Sequence, residues 1–443
     1  MLSVRLVLAL LLAGAAGCAV PELQGAGKDA ASRATSNAAS TTAQARGERI
    51  QPVILAPYAG IGRTNLGVIV NARDPLSVEI GNYYQMRRDI PPANLIKVAF
   101  DPGTAVMSRA EFERIKAEVD HQAGPEIQAF ALTWRLPYRV DCMSITSAFA
   151  FGFDPEHCAS GCKPTKVSPY YNANVNAPFT QLGIRPTMSL AAVSAEKARE
   201  LIDRGVAADG SYPEGTAYLL ETSDKARSVR ITNVSNQPIA VLSPRLKLAP
   251  LKTDAIRFKD DVMFYFTGLA NVPNLENNHY LPGAMADHLT SAGGVLAEGS
   301  SQMTALKWLY YGATGSYGAV VEPCNFVTKF PAPAVAITRY ASGETLLEAY
   351  WKSVAMPGQG IFIGEPLARP YGGYKVRVAD NGKVVSVFSH RLVDGRYTVQ
   401  GSDSPLGPYR TVVEDVSVAG RAFEIRFVAE VLNRFYRVQP SRN

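Results

Sequence analysis

Several things are missing from this 443-residue chain, and each absence removes a class of function. No Lys/Arg cluster interleaved with aromatic residues occurs. The formal charge of +6 is therefore spread over a solvated surface, and no nucleic-acid partner is expected. His157 and the cysteines around it match no common zinc-ligand spacing, so no metal centre is expected. No phosphate-cradling glycine loop follows a strand, because Tyr58-Ala59-Gly60-Ile61-Gly62 precedes the first one, and no cofactor is expected. The Gly-x-Ser-x-Gly elbow of serine hydrolases is absent too. No internal repeat is apparent, and beyond the N-terminus no apolar run approaches the length of a membrane span.

What is present begins with an export signal. Leu2 to Leu12 is apolar apart from Ser3 and Arg5, too short to span a bilayer, and runs into small residues ending at Cys18. Ala15-Ala16-Gly17-Cys18 resembles a bacterial lipobox with Ala where Leu is usual. Residues 1–18 thus read as a signal peptide with a lipobox-like end, and acylated Cys18 would anchor the chain to a membrane. The expected location is the cell envelope, anchored through Cys18 or periplasmic. Residues 19–50 are rich in Ala, Ser, Thr, Gln and Gly. They cannot bury enough apolar surface to offset their ordering entropy, which predicts a flexible tether. Of the four remaining cysteines, Cys142, Cys158 and Cys162 share a loop-like stretch. One bridge is expected among them and no partner for Cys324, although three pairings are arithmetically possible.

Residues 51–370 alternate strand and helix patterns. Leu66–Asn71, Leu95–Phe100 and Gln128–Leu136 read as buried strands, with helices over Ser77–Arg88 and, from a capping-box start, Ser108–Gln122. That succession predicts a mostly parallel open α/β sheet flanked by helices. Further helices are expected over Ser194–Arg204, ended by Gly205, and over Gln302–Tyr310 and Glu344–Ser353. Short strands are expected at Thr216–Leu220, Val262–Phe266 and Gly315–Val321. From Tyr371 the period changes to two, and Asp380-Asn381-Gly382 between alternating runs signals a hairpin. Residues 371–443 therefore predict a small antiparallel β-sandwich-like domain.

Chemistry-bearing residues collect where apolar runs break into polar turns. In a parallel sheet such turns share the carboxyl-terminal rim, where open α/β folds hold their sites. Cys324 follows a strand, and His288 is the base that could make it a thiolate, with Asp287 or Glu322 orienting the imidazole. The plainer reading is an inert, buried Cys324 and a His288 merely hydrogen-bonded in a loop. Ser291 is an alternative nucleophile, with the backbone N–H groups of Ala292 and Gly293 as an oxyanion hole. Asn71, Arg73, Asp74, Arg135 and Arg139 would join that rim and suit a small anionic or peptide ligand. Arg73, Asp74 and Arg139 read equally as a structural salt-bridge network.

The succession Val70-Asn71-Ala72-Arg73-Asp74-Pro75, Tyr83-Tyr84, Arg87 and Ile90-Pro91 is followed by the 287–294 and 312–324 blocks, Glu344 to Lys352, and Gly364-Glu365-Pro366-Leu367. Together these resemble a family of exported bacterial proteins of no established activity, over most of residues 60–370. The order of strands and polar turns also resembles caspase-like cysteine peptidases, in particular gingipains, which implies a caspase-like scaffold. Leu269 stands where that family has its His, and Ser291 near where it has its Cys, so the resemblance carries no dyad to those positions. Three functions remain open: a rim site that binds an anionic or peptide ligand without turnover, a cysteine-dependent hydrolase or peptidase using Cys324 and His288, and an envelope adhesive or structural module centred on the β domain.

Overall fold

The computed structural model describes residues 52–55, 60–159, 161–232, 246–379, 382–389, 392, 394–419 and 424–441. The expected signal peptide and tether, with Cys18, lie outside these residues, as do Tyr58, Ala59, Asp380, Asn381 and His390.

Ten short segments build one large sheet: β1 Leu66–Asn71, β2 Leu95–Val98, β3 Ala129–Leu132, β4 Thr187–Ser189, β5 Gly215–Glu221, β6 Leu246–Lys252, β7 Val262–Thr267, β8 Tyr280–His288, β9 Gly315–Ala319 and β10 Gly360–Gly364. Their order across the sheet is β6-β5-β7-β8-β9-β10-β4-β3-β1-β2. The central strands are buried on both faces, which is why they read as unbroken apolar runs rather than alternating ones. Helices α1 Pro75–Arg88, α3 Ala195–Ala208, α4 Pro333–Ala341 and α5 Leu346–Ser353 share one core with the sheet. Helix α2 Arg109–Gln122 and the turn of helix Ile145–Phe151 pack into a second core containing Ile96, Phe130 and Leu132.

The expected mostly parallel sheet is present, but its strands do not all point one way. Every adjacent pair among the ten is parallel except β9 and β10, which are antiparallel from Gly315↔Gly364 to Ala319↔Gly360. The sheet is thus two parallel halves running in opposite senses. Each half places its first strand between its second and third, as β2-β1-β3-β4 and as β6-β5-β7-β8-β9. The carboxyl ends of β1, β3 and β4 consequently face one edge of the sheet and those of β7, β8 and β9 face the other. The single shared rim expected from the sequence does not form.

Helix boundaries follow local chemistry. Asp74 caps α1 by accepting from the Leu76 N–H, Ser108 caps α2 through the Glu111 N–H, and Thr345 with Glu348 makes a complete capping box on α5. Helix α3 runs through Gly205 to Ala208 instead of ending there. The glycine is needed because a Cβ would stand 2.4 Å from Glu365 Oε2. Glu365 is fully buried and takes Tyr84 Oη at 2.7 Å and Arg88 Nε at 3.0 Å, which locks α1 to the end of β10. At the exposed edge strand β2, the Gln122 side chain accepts from Lys97 N at 3.3 Å and donates to Lys97 O at 3.1 Å, occupying backbone groups that another strand could pair with.

The C-terminal residues form the expected antiparallel sandwich. One sheet pairs Lys375–Val378, Val384–Phe388 and Glu424–Val428. The other pairs Arg410–Val418, Gly395–Ser402 and Phe435–Pro440. Val385, Val387, Val399, Ile425, Tyr436 and Val438 fill the space between them. One strand comes from far away: Val53–Leu55 adds in parallel to Phe435–Arg437, so the first described residues belong to the sandwich.

Candidate functional site

At the carboxyl end of β8, Asp287 and His288 are both fully buried. Asp287 Oδ1 lies 2.5 Å from Arg230 Nη2, and Arg230 also donates to the backbone oxygens of Thr267 and Asp287. Burial pushes the Asp287 carboxyl above its usual range, against the pull of the guanidinium. His288 is used on both sides of its ring. Nδ1 accepts from Trp308 Nε1 at 2.9 Å, and Nε2 faces Met303 O at 3.0 Å, an arrangement that puts the proton on Nε2. Burial lowers its pKa to about 3, so the imidazole is neutral and has no free nitrogen to take a proton from a nucleophile.

Cys324 is not a thiol. Its sulfur is bonded to Cys162, and Cys142 is bonded to Cys158. One bridge among the first three cysteines is present as expected. The expectation of an unpaired Cys324 is corrected, and with it the cysteine–histidine dyad, since neither member is available for chemistry. Glu322, exposed, accepts the Cys324 N–H at 2.7 Å and so fixes the left-handed turn at Cys324 (φ 53°) rather than orienting a histidine. Ser291 is partly exposed at the same edge, but one of the two donors of the expected oxyanion hole is taken: the Ala292 N–H donates to Gln302 Oε1 at 2.8 Å, which also accepts from the Thr290 hydroxyl.

The residues expected to join this rim lie at the opposite edge. Asn71 is buried and bonds Phe100 N, Phe100 O and Arg73 N, stitching the ends of β1 and β2 together. Asp74 is spent as the cap of α1, and Arg73 is exposed. Arg139 Nη1 donates to Asp141 O. Among the described residues Arg73, Asp74 and Arg139 form no ion pair with one another, so the structural network read as their alternative role is absent too.

Arg135 lies at that same opposite edge. It follows β3 and lines a cleft of about 490 Å³ between the start of α3 and the 296–311 segment that connects β8 to β9. Its Nη1 donates to Leu296 O at 2.7 Å, which holds the guanidinium at the cleft wall. Lys197, in the first turn of α3, lies with its ammonium 5.0 Å above the ring of Tyr310 and is paired with Glu200 at 2.8 Å. Lys307 adds a third cation, against the single acid Glu298. Val193, Leu201, Tyr310 and Tyr311 supply apolar wall, and Ser300, Gln302 and Thr304 supply polar groups. The lining contains neither histidine nor cysteine. A wall of this kind can hold a carboxylate or other anion by charge-assisted hydrogen bonds beside an apolar or aromatic body.

Sequence reasoning found Arg135 but missed Lys197, Lys307 and Tyr310. They belong to different segments that meet only because β9 turns its amino end toward the carboxyl end of β4 across the antiparallel seam. Comparison with known proteins finds no matching family model and no matching curated protein. Two solved structures are similar in arrangement. One is the complex of Porphyromonas gingivalis RgpB pro- and mature domains, at 9% identity and TM-score 0.40, covering 84% of this chain and 94% of that one. The other is a protease, at 10% identity and TM-score 0.38, covering 83% of this chain and 97% of that one.

Proposed function

We propose that this is an exported, lipid-anchored protein that binds an anionic or peptide ligand in the Arg135 cleft without turning it over. The observation that carries the reading is the cleft's composition: Arg135 and Lys307, with Lys197 paired to Glu200, against the single lining acid Glu298, beside exposed tyrosine, with neither a histidine base nor a cysteine nucleophile in the wall. The two disulfides support an oxidising compartment, and the acyl anchor rests on the lipobox-like end at Cys18.

The test is thermal stabilisation by acidic peptides with free carboxylates, compared with their amidated counterparts. A ligand that binds only the folded protein raises Tm by mass action. Free-carboxylate peptides should raise Tm, with an effect that weakens as salt is added. Arg135→Ala should reduce affinity roughly 10- to 100-fold, the cost of one charge-assisted hydrogen bond of about 1.5–3 kcal/mol. Equal stabilisation by charged and amidated peptides, or an undiminished response in Arg135→Ala, would sink the reading. Fatty-acid labelling lost in Cys18→Ser tests the anchor separately.

A further inference from the structure

One end of the C-terminal sandwich gathers features that the cleft does not use. The loop 403–409 carries Leu406, 95% exposed, and the neighbouring loop 429–434 carries Val431, 72% exposed, with Val428 at its root, 64% exposed. Arg434 N donates to Asp403 Oδ1 at 3.2 Å, which places the two loops side by side. The exposure of Leu406 is built in rather than left to a loose chain. Ser404 Oγ accepts from Leu406 N, Ser404 O accepts from Gly407 N, and Tyr409 Oη closes the loop onto Pro405 O at 3.0 Å under the Arg437 guanidinium. Lys383, Arg410 and Arg434 are exposed around this end, against the exposed acids Asp403 and Glu430. The whole stretch 371–443 holds eleven lysines and arginines against seven acids.

The chain enters the fold here. Val53 pairs with Phe435, the first residue after the loop that carries Val431, and Ser402, just before the Leu406 loop, pairs with the same Phe435. Pro52, the first described residue, therefore stands at the end that displays Leu406 and Val431. On the tether reading of residues 19–50, a flexible linker of that length spans about 30 Å, short enough to hold this end near a surface that anchors Cys18.

We infer that this end of the sandwich rests on an anionic phospholipid surface, inserting Leu406 and Val431 at the headgroup boundary while Lys383, Arg410 and Arg434 meet lipid phosphates. Apolar side chains buried at the interface and cations against anionic headgroups are the two contributions such contacts use. The geometry rests on the lipid-anchor reading of Cys18, but the test does not. The full chain carrying Cys18→Ser, which no acyl group can anchor, is sedimented with vesicles of phosphatidylglycerol and phosphatidylcholine and with vesicles of phosphatidylcholine alone.

The expected result is co-sedimentation with the anionic vesicles, weakened by salt and reduced about tenfold or more in Leu406→Asp combined with Val431→Asp. Arg410→Glu with Arg434→Glu should weaken it independently. Because these side chains are exposed, an unchanged near-UV spectrum shows that the variants are folded. No binding by the Cys18→Ser chain overturns the inference, as does binding that survives the aspartates. Self-association of the chain that the same aspartates abolish, without vesicle binding, would also overturn it, because the tip would then join two copies. Failure of fatty-acid labelling with vesicle binding intact would remove the anchor and leave the tip.

Discussion

The Cys162–Cys324 bond decides between a thiol enzyme and a stapled fold, and its effect on stability can be calculated. In the chain-entropy account, a crosslink stabilises by shrinking the unfolded ensemble, in proportion to the logarithm of the loop it closes. Cys142 and Cys158 are 16 residues apart, worth about 3 kcal/mol at 25 °C. Cys162 and Cys324 are 162 apart, worth about 5 kcal/mol. The difference of about 2 kcal/mol depends only on the ratio of the two loop lengths. Paired substitutions, Cys142→Ser with Cys158→Ser and Cys162→Ser with Cys324→Ser, followed by guanidinium unfolding, should therefore rank in that order, the second losing more. In parallel, iodoacetamide added to the folded, unreduced protein should leave Cys324 unmodified. Fast, pH-dependent alkylation of Cys324, or a 162/324 pair that costs no more than the 142/158 pair, refutes the reasoning and reopens the thiolate.

Other consequences are independent of the disulfides. His288 is held neutral by burial at a pKa near 3, and burial lowers His157 as well, whereas in the unfolded chain both take up protons near pH 6.5. The unfolded state thus binds more protons below that pH, so this contribution to stability is complete above about 6.5 and is lost as pH falls, by about 1.4 kcal/mol per unit per histidine. His288→Gln, which keeps an acceptor for Trp308, should flatten the acid limb between pH 6 and 4; an unchanged slope in urea unfolding series would argue against the buried neutral ring. Glu365→Ala removes the acceptor of the Tyr84 hydroxyl and leaves Arg88 with Asp209 as its remaining ion-pair partner, and should cost about 3 kcal/mol, read as a lowered unfolding midpoint. Gly318→Ala would place a Cβ 2.3 Å from the backbone of Gly293 and should displace the turn after β8, lowering Tm. Gln122→Ala uncovers the backbone of β2 and should raise light scattering on storage without altering the far-UV spectrum.

The parts of this molecule legible in the sequence are those governed by local chemistry. Asp74, Ser108 and Thr345 announce helix starts, and the runs 66–71 and 262–266 announce buried strands. The hairpin pairing of 375–378 with 384–388 follows from its turn and alternation. What stayed hidden depends on partners distant in the chain. Gly360–Gly364 is an apolar run wedged in a glycine- and proline-rich stretch, with nothing local to mark it as the one strand that reverses the sheet. Asp287 and His288 look reactive after an apolar run. Only the arrival of Arg230, 57 residues earlier, and Trp308, 20 residues later, turns them into a buried ion pair and a hydrogen-bonded core ring. Cys162 and Cys324 could not be paired from spacing for the same reason.

The reversal at β9 and β10 also explains where the cleft lies. In a single parallel sheet every carboxyl end opens on one side, and the crevice forms where neighbouring connections diverge to opposite faces. Here each half has such a divergence, between β1 and β3 and between β5 and β7, and both are closed by side chains. Asn71, Ser77 and Thr133 bond one another or nearby backbone in the first, and Thr222 and Ser228 bridge to Gly268 in the second. The space left open lies at the seam, where the carboxyl end of β4 meets the amino end of β9 and the 296–311 segment arches toward α3. A cleft in that position borrows one wall from each half, and Arg135 is tied to both because it follows β3 and donates to Leu296. The Arg135 guanidinium, held on Leu296 O, keeps its place without a ligand, which on the proposed reading lowers the ordering cost of binding.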